Sequence, residues 1–429
     1  MTYQEALTYL DGLNQFGINL GLVRITHLLK LMDNPQHKYK TIHVTGTNGK
    51  GSTTIMLASI LNNAKIKTGM YISPHLETYT ERMQVNGKNI TEQDFADSIS
   101  YVSKFVKQMI AEGEENPTQF EVITAAAFYY FAKVEVEYAV VEVGLGGLLD
   151  STNVIIPEVS VITNVTFEHA DRCGGTLAGI AEHKAGIIKD GVPVITAAKD
   201  EALTIIKKVA EQKSADVFVA GEDFESVFEN MEGHKQNITF SADLMGVEII
   251  YVLNLLGKHQ VENSSVAIMT ALVLANSEKR ITSEAIHNAL LTVCWPGRFE
   301  MVYEEDRLIV LDGAHNLAGA TVLRKNLDQY FPDKELVFLL GILKDKDVEG
   351  ILNSLVRPEN VVVVTQPDSE RAAEPDFVAN KVVAKQVKVA ESIKSGLQIA
   401  KKLAGNDKIL CIAGSLYLIG AVRKLIVKS

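Results

Sequence analysis

"KTIHVTGTNGKGSTTIMLASIL", residues 40–61, decides how the rest of the chain is read. It begins as an apolar strand, turns through glycines and continues as an apolar-periodic helix. The common phosphate-binding pattern is G-x-x-x-x-G-K-[ST]. Here the first glycine falls late, at Gly46, and Gly51 separates Lys50 from the hydroxyl of Ser52. Glycines let the backbone approach a phosphate and turn its N–H groups inward, and the start of the next helix adds its positive dipole end. Lys50 can reach the outer phosphates, and Ser52 can ligate Mg2+. A tight strand–helix turn that needs glycine for positive φ is the plain alternative. Three glycines and a lysine between Gly46 and Gly51, in a strand–loop–helix setting, favour phosphate.

Outward from this loop the chain repeats apolar strand, turn and amphipathic helix. Strands are expected at 40–45, 68–72, 138–143, 159–163 and 193–196, and helices at 52–63, 92–111, 120–133 and 176–186. Such alternation favours a parallel sheet covered by helices. Residues 238–257 read as an antiparallel hairpin at the edge of this domain. Helices follow at 260–275 and 283–291, and then "CWPGRFE", 294–300, whose Pro-Gly pair marks a domain junction. Beyond it strands are expected at 307–312, 335–341, 359–365, 386–389 and 408–413, with a last helix at 416–427. The expected fold is α/β: a P-loop N-terminal domain with a mostly parallel sheet (1–296), and a smaller Rossmann-like C-terminal α/β domain (297–429).

The chain of 429 residues exceeds what one core usually serves. A net charge of -11 argues against a general nucleic-acid binder. The N-terminus carries acidic and polar residues where a signal peptide would be apolar, and apolar runs such as "VVVV" (361–364) are strand-sized, so no membrane span is expected. Cys173, Cys294 and Cys411 are scattered and odd in number, which suggests neither a disulfide framework nor a zinc motif. A cytoplasmic enzyme with reduced thiols is the expectation.

A P-loop needs a metal partner, and open α/β sheets place their ligands at the carboxyl ends of strands. Glu142 stands near the end of one strand, in "YAVVEVGLGGLLDSTN", and His169 follows another, in "SVITNVTFEHA". Alone, Glu142 could be a buried charge paired with a lysine and His169 a satisfied loop histidine. Both at strand ends of one P-loop sheet, they favour metal binding.

The chain resembles folylpolyglutamate synthase and dihydrofolate synthase, members of the Mur ligase superfamily. The resemblance runs nearly end to end, through "FGINLGLVRITHLL", "HVTGTNGKGS", "YISPHLETYTERMQVNG", "FEVITAAAFYYF", "VEVGLGGLLDSTN", "HKAGIIK", "LLGKHQVENSSVAI", "WPGRFE", "LDGAHN", "GILKDKD" and "GSLYLIG". It implies an ATP- and Mg2+-dependent ligase that joins L-glutamate to the carboxylate of dihydropteroate or a reduced folate. ATP would first phosphorylate the carboxylate; the amine of glutamate would then attack the acyl phosphate. Phosphoryl transfer demands charge neutralisation and alignment more than a protein nucleophile. The reactive acyl phosphate must be kept from water, which a cleft closing between two domains can do.

Carried onto this sequence, the resemblance implies Thr47, Asn48, Gly49, Lys50, Gly51 and Ser52 at the triphosphate, and Ser52, Glu142 and His169 at the metal. Lys184, in "KAG", matches a lysine that is carboxylated in relatives. Asn263 matches a position near adenine, Arg298 one that reaches the nucleotide, and Asp312 and His315 positions near the ribose and the phosphates or glutamate. Lys50, Lys184 and His315 are the implied catalytic residues. Asn316 could equally be a plain helix N-cap. Ser73, His75, Arg82, Phe120 and Glu121 fall in segments that line the pterin side. Phe120 could stack on a flat ring or be a core aromatic. A monomer without nucleic-acid partners is implied.

The sequence departs from the family pattern at four places. Glu168 replaces the usual Asp before the metal histidine, and His183 the usual Glu before the lysine of "KAG". Leu148 stands where Arg is common, and Cys173-Gly174 where Leu-Gly is usual. These changes could alter acceptor choice or Lys184 carboxylation without touching ATP use. Rival readings are a Mur-like amide ligase with another carboxylate acceptor, and a non-catalytic P-loop switch. The switch leaves the second domain unexplained. A cell-wall Mur enzyme would carry an extra domain before the P-loop, for which 46 residues leave no room.

Overall fold

The computed structural model describes residues 1–17, 19–167, 173–304 and 306–427. Glu168 and His169 therefore lie outside the described residues. The chain forms two compact units, Met1–Asn254 with Lys258–Val293, and Leu255–Gly257 with Cys294–Ser429.

The first unit is built on eight strands: β1 (Lys40–Thr45), β2 (Thr68–Tyr71), β3 (Met83–Val85), β4 (Lys88–Asn89), β5 (Tyr138–Glu142), β6 (Val159–Ile162), β7 (Val194–Thr196) and β8 (Val217–Val219). Their order is β4-β3-β2-β5-β1-β6-β7-β8. From β2 to β8 every pairing is parallel, and β3 and β4 add an antiparallel edge. β2, β5, β6 and β7 are buried at every residue, as expected of strands sandwiched between helices. One consequence positions the site. β1 lies between β5 and β6, so the loops leaving the carboxyl ends of these three strands are neighbours, although they are far apart in sequence.

Capping sets the helices. Thr118 and Glu121 form a capping box at the start of Gln119–Lys133. Thr91 and Thr176 cap Glu92–Ala111 and Leu177–Ala185. Helices Glu92–Ala111 and Gln119–Lys133 bury Phe95, Phe128 and Phe131 in the main core.

The expected hairpin is present but belongs to a larger element. β10 (Lys235–Ala242) and β11 (Val247–Leu253) pair antiparallel, and β9 (Glu225–Glu232) adds a third strand, making a sheet separate from the main one. β9, "ESVFENME", carries too few apolar residues to announce itself.

The second unit holds β12 (Glu300–Glu304), β13 (Arg307–Leu311), β14 (Leu336–Leu340), β15 (Val361–Val364), β16 (Gln386–Val389) and β17 (Ile409–Ala413), in the order β12-β13-β17-β14-β15-β16. Only β12 runs antiparallel. Among the described residues, no helix is long and apolar enough to cross a membrane.

Candidate active site

The loop after β1 turns as its glycines require. Gly46 has φ +151° and Gly49 +85°. A Cβ on Gly46 would stand 1.8 Å from Thr163 Oγ1, and one on Gly49 2.2 Å from Asn263 Oδ1. Both positions exclude a side chain by contact as well as by conformation. Gly49 leads directly into helix Lys50–Asn63, whose first N–H groups have no partner within the helix.

The loop is tied to the segment after β6. Thr47 N donates to Asn164 O (2.8 Å), Asn48 N to Asn164 Oδ1 (2.9 Å) and Thr166 N to Thr47 Oγ1 (3.0 Å). Thr163 Oγ1 donates to Asn48 O at 2.6 Å. Lys50 Nζ folds back and donates to Gly46 O (2.9 Å) and Thr47 O (3.0 Å), so its charge is held over the loop.

The opposite wall is the turn after β5. Thr45 Oγ1 donates to Gly146 O at 2.7 Å. Asp150 Oδ2 accepts from Leu145 N (2.8 Å), and its Oδ1 from Thr152 N (3.0 Å) and Thr152 Oγ1 (2.5 Å). Thr152 Oγ1 in turn meets His43 Nε2 at 2.8 Å. With the Thr152 hydroxyl donated to Asp150, His43 must donate from Nε2; its buried Nδ1 makes no hydrogen bond. Burial pushes the His43 imidazole down to about 3, with the Lys189 charge adding to the effect, so it is neutral at working pH. Burial also raises the Asp150 carboxyl, against hydrogen bonds from Thr152, Leu145 and Gly144.

Between these walls lies a pocket lined by Gly46, Thr47, Lys50, Gly144, Leu145, Gly146, Cys173 and Lys184. The structure thus brings Lys50 together with Lys184, which is buried on helix Leu177–Ala185. One of the departures lines this pocket and two lie near it. Cys173 lines it, the His183 ring lies beside Gly146, and His183 O accepts from Leu148 N at 2.7 Å. Leu148 itself is 43% exposed.

Ser52 is buried in the first turn of helix Lys50–Asn63, and Glu142 is buried at the end of β5. Both supply hard oxygen donors, which fit Mg2+. Glu142 Oε2 accepts from Ser73 N at 3.2 Å, which links the expected metal ligand to a residue expected on the pterin side. Asn263 Nδ2 donates to Gln260 Oε1 (3.0 Å), and Gln260 Nε2 donates to Ser52 Oγ (3.2 Å). The sequence reading missed Gln260, as it missed Asp150, Thr152, Asn164 and His43. A buried polar residue on a helix was the available signal for Gln260.

Among the residues expected on the pterin side, Arg82 Nε donates to His75 Nδ1 (2.9 Å) and its guanidinium lies 5.0 Å over the Tyr79 ring, while His75 and Tyr79 rings are 4.3 Å apart. Phe120 is half-buried, its ring 6.2 Å from that of Tyr71 and pressed against Gly144. It therefore borders the pocket while packing on the core. Glu121 is 1% exposed and structurally engaged. Its Oε2 accepts from Thr118 N (2.7 Å), Thr118 Oγ1 (2.9 Å) and Arg24 Nε (3.2 Å).

In the second unit, the loops after β13 and β17 are adjacent. Asp312 accepts from Phe299 N on Oδ2 and Ala314 N on Oδ1, both at 2.8 Å. Burial raises its carboxyl and the Arg298 charge opposes that rise. Arg298 Nη1 lies against Gly313. His315 Nδ1 meets Gly313 O at 2.8 Å, which makes Nδ1 the donor. Asn316 Oδ1 accepts from Gly319 N at 2.7 Å and caps helix Leu317–Tyr330, as its alternative reading had it.

Residues 44–271 match the Mur ligase middle domain, and residues 297–416 the Mur ligase glutamate ligase domain. The chain is 34% identical to the dihydrofolate synthase/folylpolyglutamate synthase of Bacillus subtilis, over 98% of both chains. It superposes on folylpolyglutamate synthase of Thermotoga maritima with TM-score 0.87 and 34% identity, covering 99% of this chain and 96% of that one. For the Mycobacterium tuberculosis folylpolyglutamate synthase complexed with ADP and AMPPCP the TM-score is 0.90 at 30% identity, covering 100% and 99%. Two Mur ligase domain matches in order, and a full-length likeness in both sequence and structure, place the chain in the folylpolyglutamate synthase/dihydrofolate synthase family of ATP-dependent ligases.

Proposed function

We propose that this chain couples ATP hydrolysis to the joining of L-glutamate to the carboxylate of dihydropteroate or a reduced folate. The observation that carries this reading is the pocket between the loop after β1 and the turn after β5, where Lys50 and Lys184 converge on glycine-lined backbone.

The γ-phosphoryl group passes from ATP to the acceptor carboxylate, and ADP leaves. The amine of glutamate then attacks the acyl carbon, and phosphate departs with the electron pair of the broken C–O bond. This chain's residues stabilise charge and fix geometry. The N–H groups at the start of helix Lys50–Asn63 would face a phosphate, and Lys50, now on the carbonyls of Gly46 and Thr47, would exchange them for phosphate oxygens. Ser52 and Glu142 would hold Mg2+, with His169 as a third donor. Mg2+, when bound, neutralises phosphate charge. A carbamate on Lys184 would set a negative charge beside the Lys50 cation. Asn263 serves adenine. Arg298, Asp312 and His315 serve the nucleotide and glutamate from the second unit, the glutamate ligase domain by similarity. Ser73, His75, Arg82 and Phe120 border the acceptor. A cytoplasmic monomer accompanies this reading.

The test is ADP release with ATP, Mg2+ and L-glutamate, run in parallel with dihydropteroate and with a reduced folate monoglutamate, Lys50→Ala serving as the blank. Release is expected with at least one acceptor. Silence with both, in protein that still binds ATP, would overturn the reading and direct attention to Leu148 and His183.

A further inference from the structure

Gln260 sits at the start of helix Lys258–Ala275 and is 1% exposed. It has no part in the assignments above. Its side chain spans two residues that do: Asn263, on the adenine side, and Ser52, on the metal side. We propose that Gln260 is a positioning residue that aims the Ser52 hydroxyl oxygen at the metal. This rests on the reading of the loop as a Mg-nucleotide site.

A serine oxygen carries one proton and two lone pairs. Gln260 Nε2 occupies one lone pair at 3.2 Å. The second lone pair is left for a cation, and the proton turns elsewhere. The orientation of the Gln260 amide is not arbitrary. Asn263 Nδ2 donates to Gln260 Oε1 at 3.0 Å, so the amide oxygen is taken and its NH2 must face Ser52. Reversed, the Gln260 amide would set two NH2 groups against each other. Asn263 packs against Gly49, whose missing side chain leaves room for the amide. The hydrogen-bonded chain Asn263–Gln260–Ser52 thus runs from a buried helix, beside Gly49, to the first turn after Lys50. Ser52 and Asn263 are each 5% exposed, so water does not readily replace a lost partner.

The test measures ADP affinity by calorimetry in two arms, with Mg2+ and with EDTA. In the unmodified protein, Mg2+ should tighten ADP. Gln260→Met keeps the volume but removes the amide. It should weaken MgADP about fivefold to tenfold, the scale of one hydrogen bond, while changing ADP in EDTA less than about twofold. Ser52→Ala should lose the gap between the arms altogether. If Gln260→Met does not fold, Gln260→Asn withdraws the amide by one methylene and should show the same split. Equal weakening in both arms would make Gln260 a packing residue and overturn the inference. No change in either arm would overturn it also. An unmodified protein without a Mg2+ effect would overturn the reading of the loop itself, and the inference with it.

Discussion

Alanine at position 49 puts the loop's stereochemistry to a quantitative test. Gly49 has φ +85°, and a Cβ there would lie 2.2 Å from Asn263 Oδ1, 2.9 Å from its Cγ and 3.2 Å from its Nδ2. Ordinary carbon contacts begin near about 3.5 Å, so the Asn263 amide must retreat by about 1 Å. That retreat breaks its 3.0 Å hydrogen bond to Gln260, with a net loss of about 1 kcal/mol. The positive φ adds roughly 1 kcal/mol for any residue with a Cβ. Gly49→Ala should therefore lose about 2 kcal/mol of stability by urea denaturation, and bind MgADP at least about tenfold more weakly. Pairing it with Asn263→Ala removes the obstacle but leaves the backbone strain. The double variant should thus be less unstable than the sum of the singles, by about 1 kcal/mol. A loss under about 0.5 kcal/mol with unchanged ADP affinity would refute the reasoning, as would strict additivity.

Two further expectations concern buried charge. The folded-state pKa of His43 is depressed to about 3, below its value in the unfolded chain, so below about pH 6.5 only the unfolded chain takes up the proton. Stability contributed by neutral His43 is then lost as pH falls, by up to about 1.4 kcal/mol per unit until the folded pKa is reached. Denaturation between pH 7 and pH 5 should show a shallower slope in His43→Gln than in the unmodified protein; identical slopes would contradict the assignment. Glu121 is paired with Arg24, whose side chain is 10% exposed, and it also closes the capping box of helix Gln119–Lys133. Glu121→Gln should destabilise by about 3 kcal/mol while the acceptor KM stays within about twofold. A stable variant with a much higher acceptor KM would make Glu121 a substrate contact instead.

The loop at 46–52 was legible because glycine and lysine have few other reasons to occur together between a strand and a helix. The parallel sheet was legible from uninterrupted runs such as "YAVVE" and "VVVV". The strands that escaped notice are β9, which is mostly polar, the two- and three-residue strands β3, β4 and β8, and β12, which has no fully buried residue. At the candidate site, single residues with familiar chemistry stood out in the sequence, and the residues that hydrogen-bond to them did not. Gln260 lies 208 positions from Ser52 along the chain, so no local pattern announces their contact. For Glu121 the pattern was local, T-x-x-E at 118–121, and a cap was the physically simpler reading of a carboxylate there.

Helix Lys258–Ala275 shows what a physical reading of the sequence can still extract. It buries Gln260, Asn263, Ser264, Ser265 and Thr270 alongside Val261, Val266 and Ile268. A helix buried on most of its faces is normally apolar all round. Polar residues on such a helix must each be satisfied from within the protein. Ser264, Ser265 and Thr270 donate to carbonyls within their own helix, and Tyr251 OH also meets Ser264 Oγ at 2.8 Å. Gln260 instead bonds Asn263 and, outside the helix, Ser52. That difference separates the amide pair, which reaches outside its helix to Ser52, from hydroxyls that each bond a carbonyl of their own helix. It depends on where long side chains point, and so it becomes visible only once β1, β5 and β6 have brought their loops together.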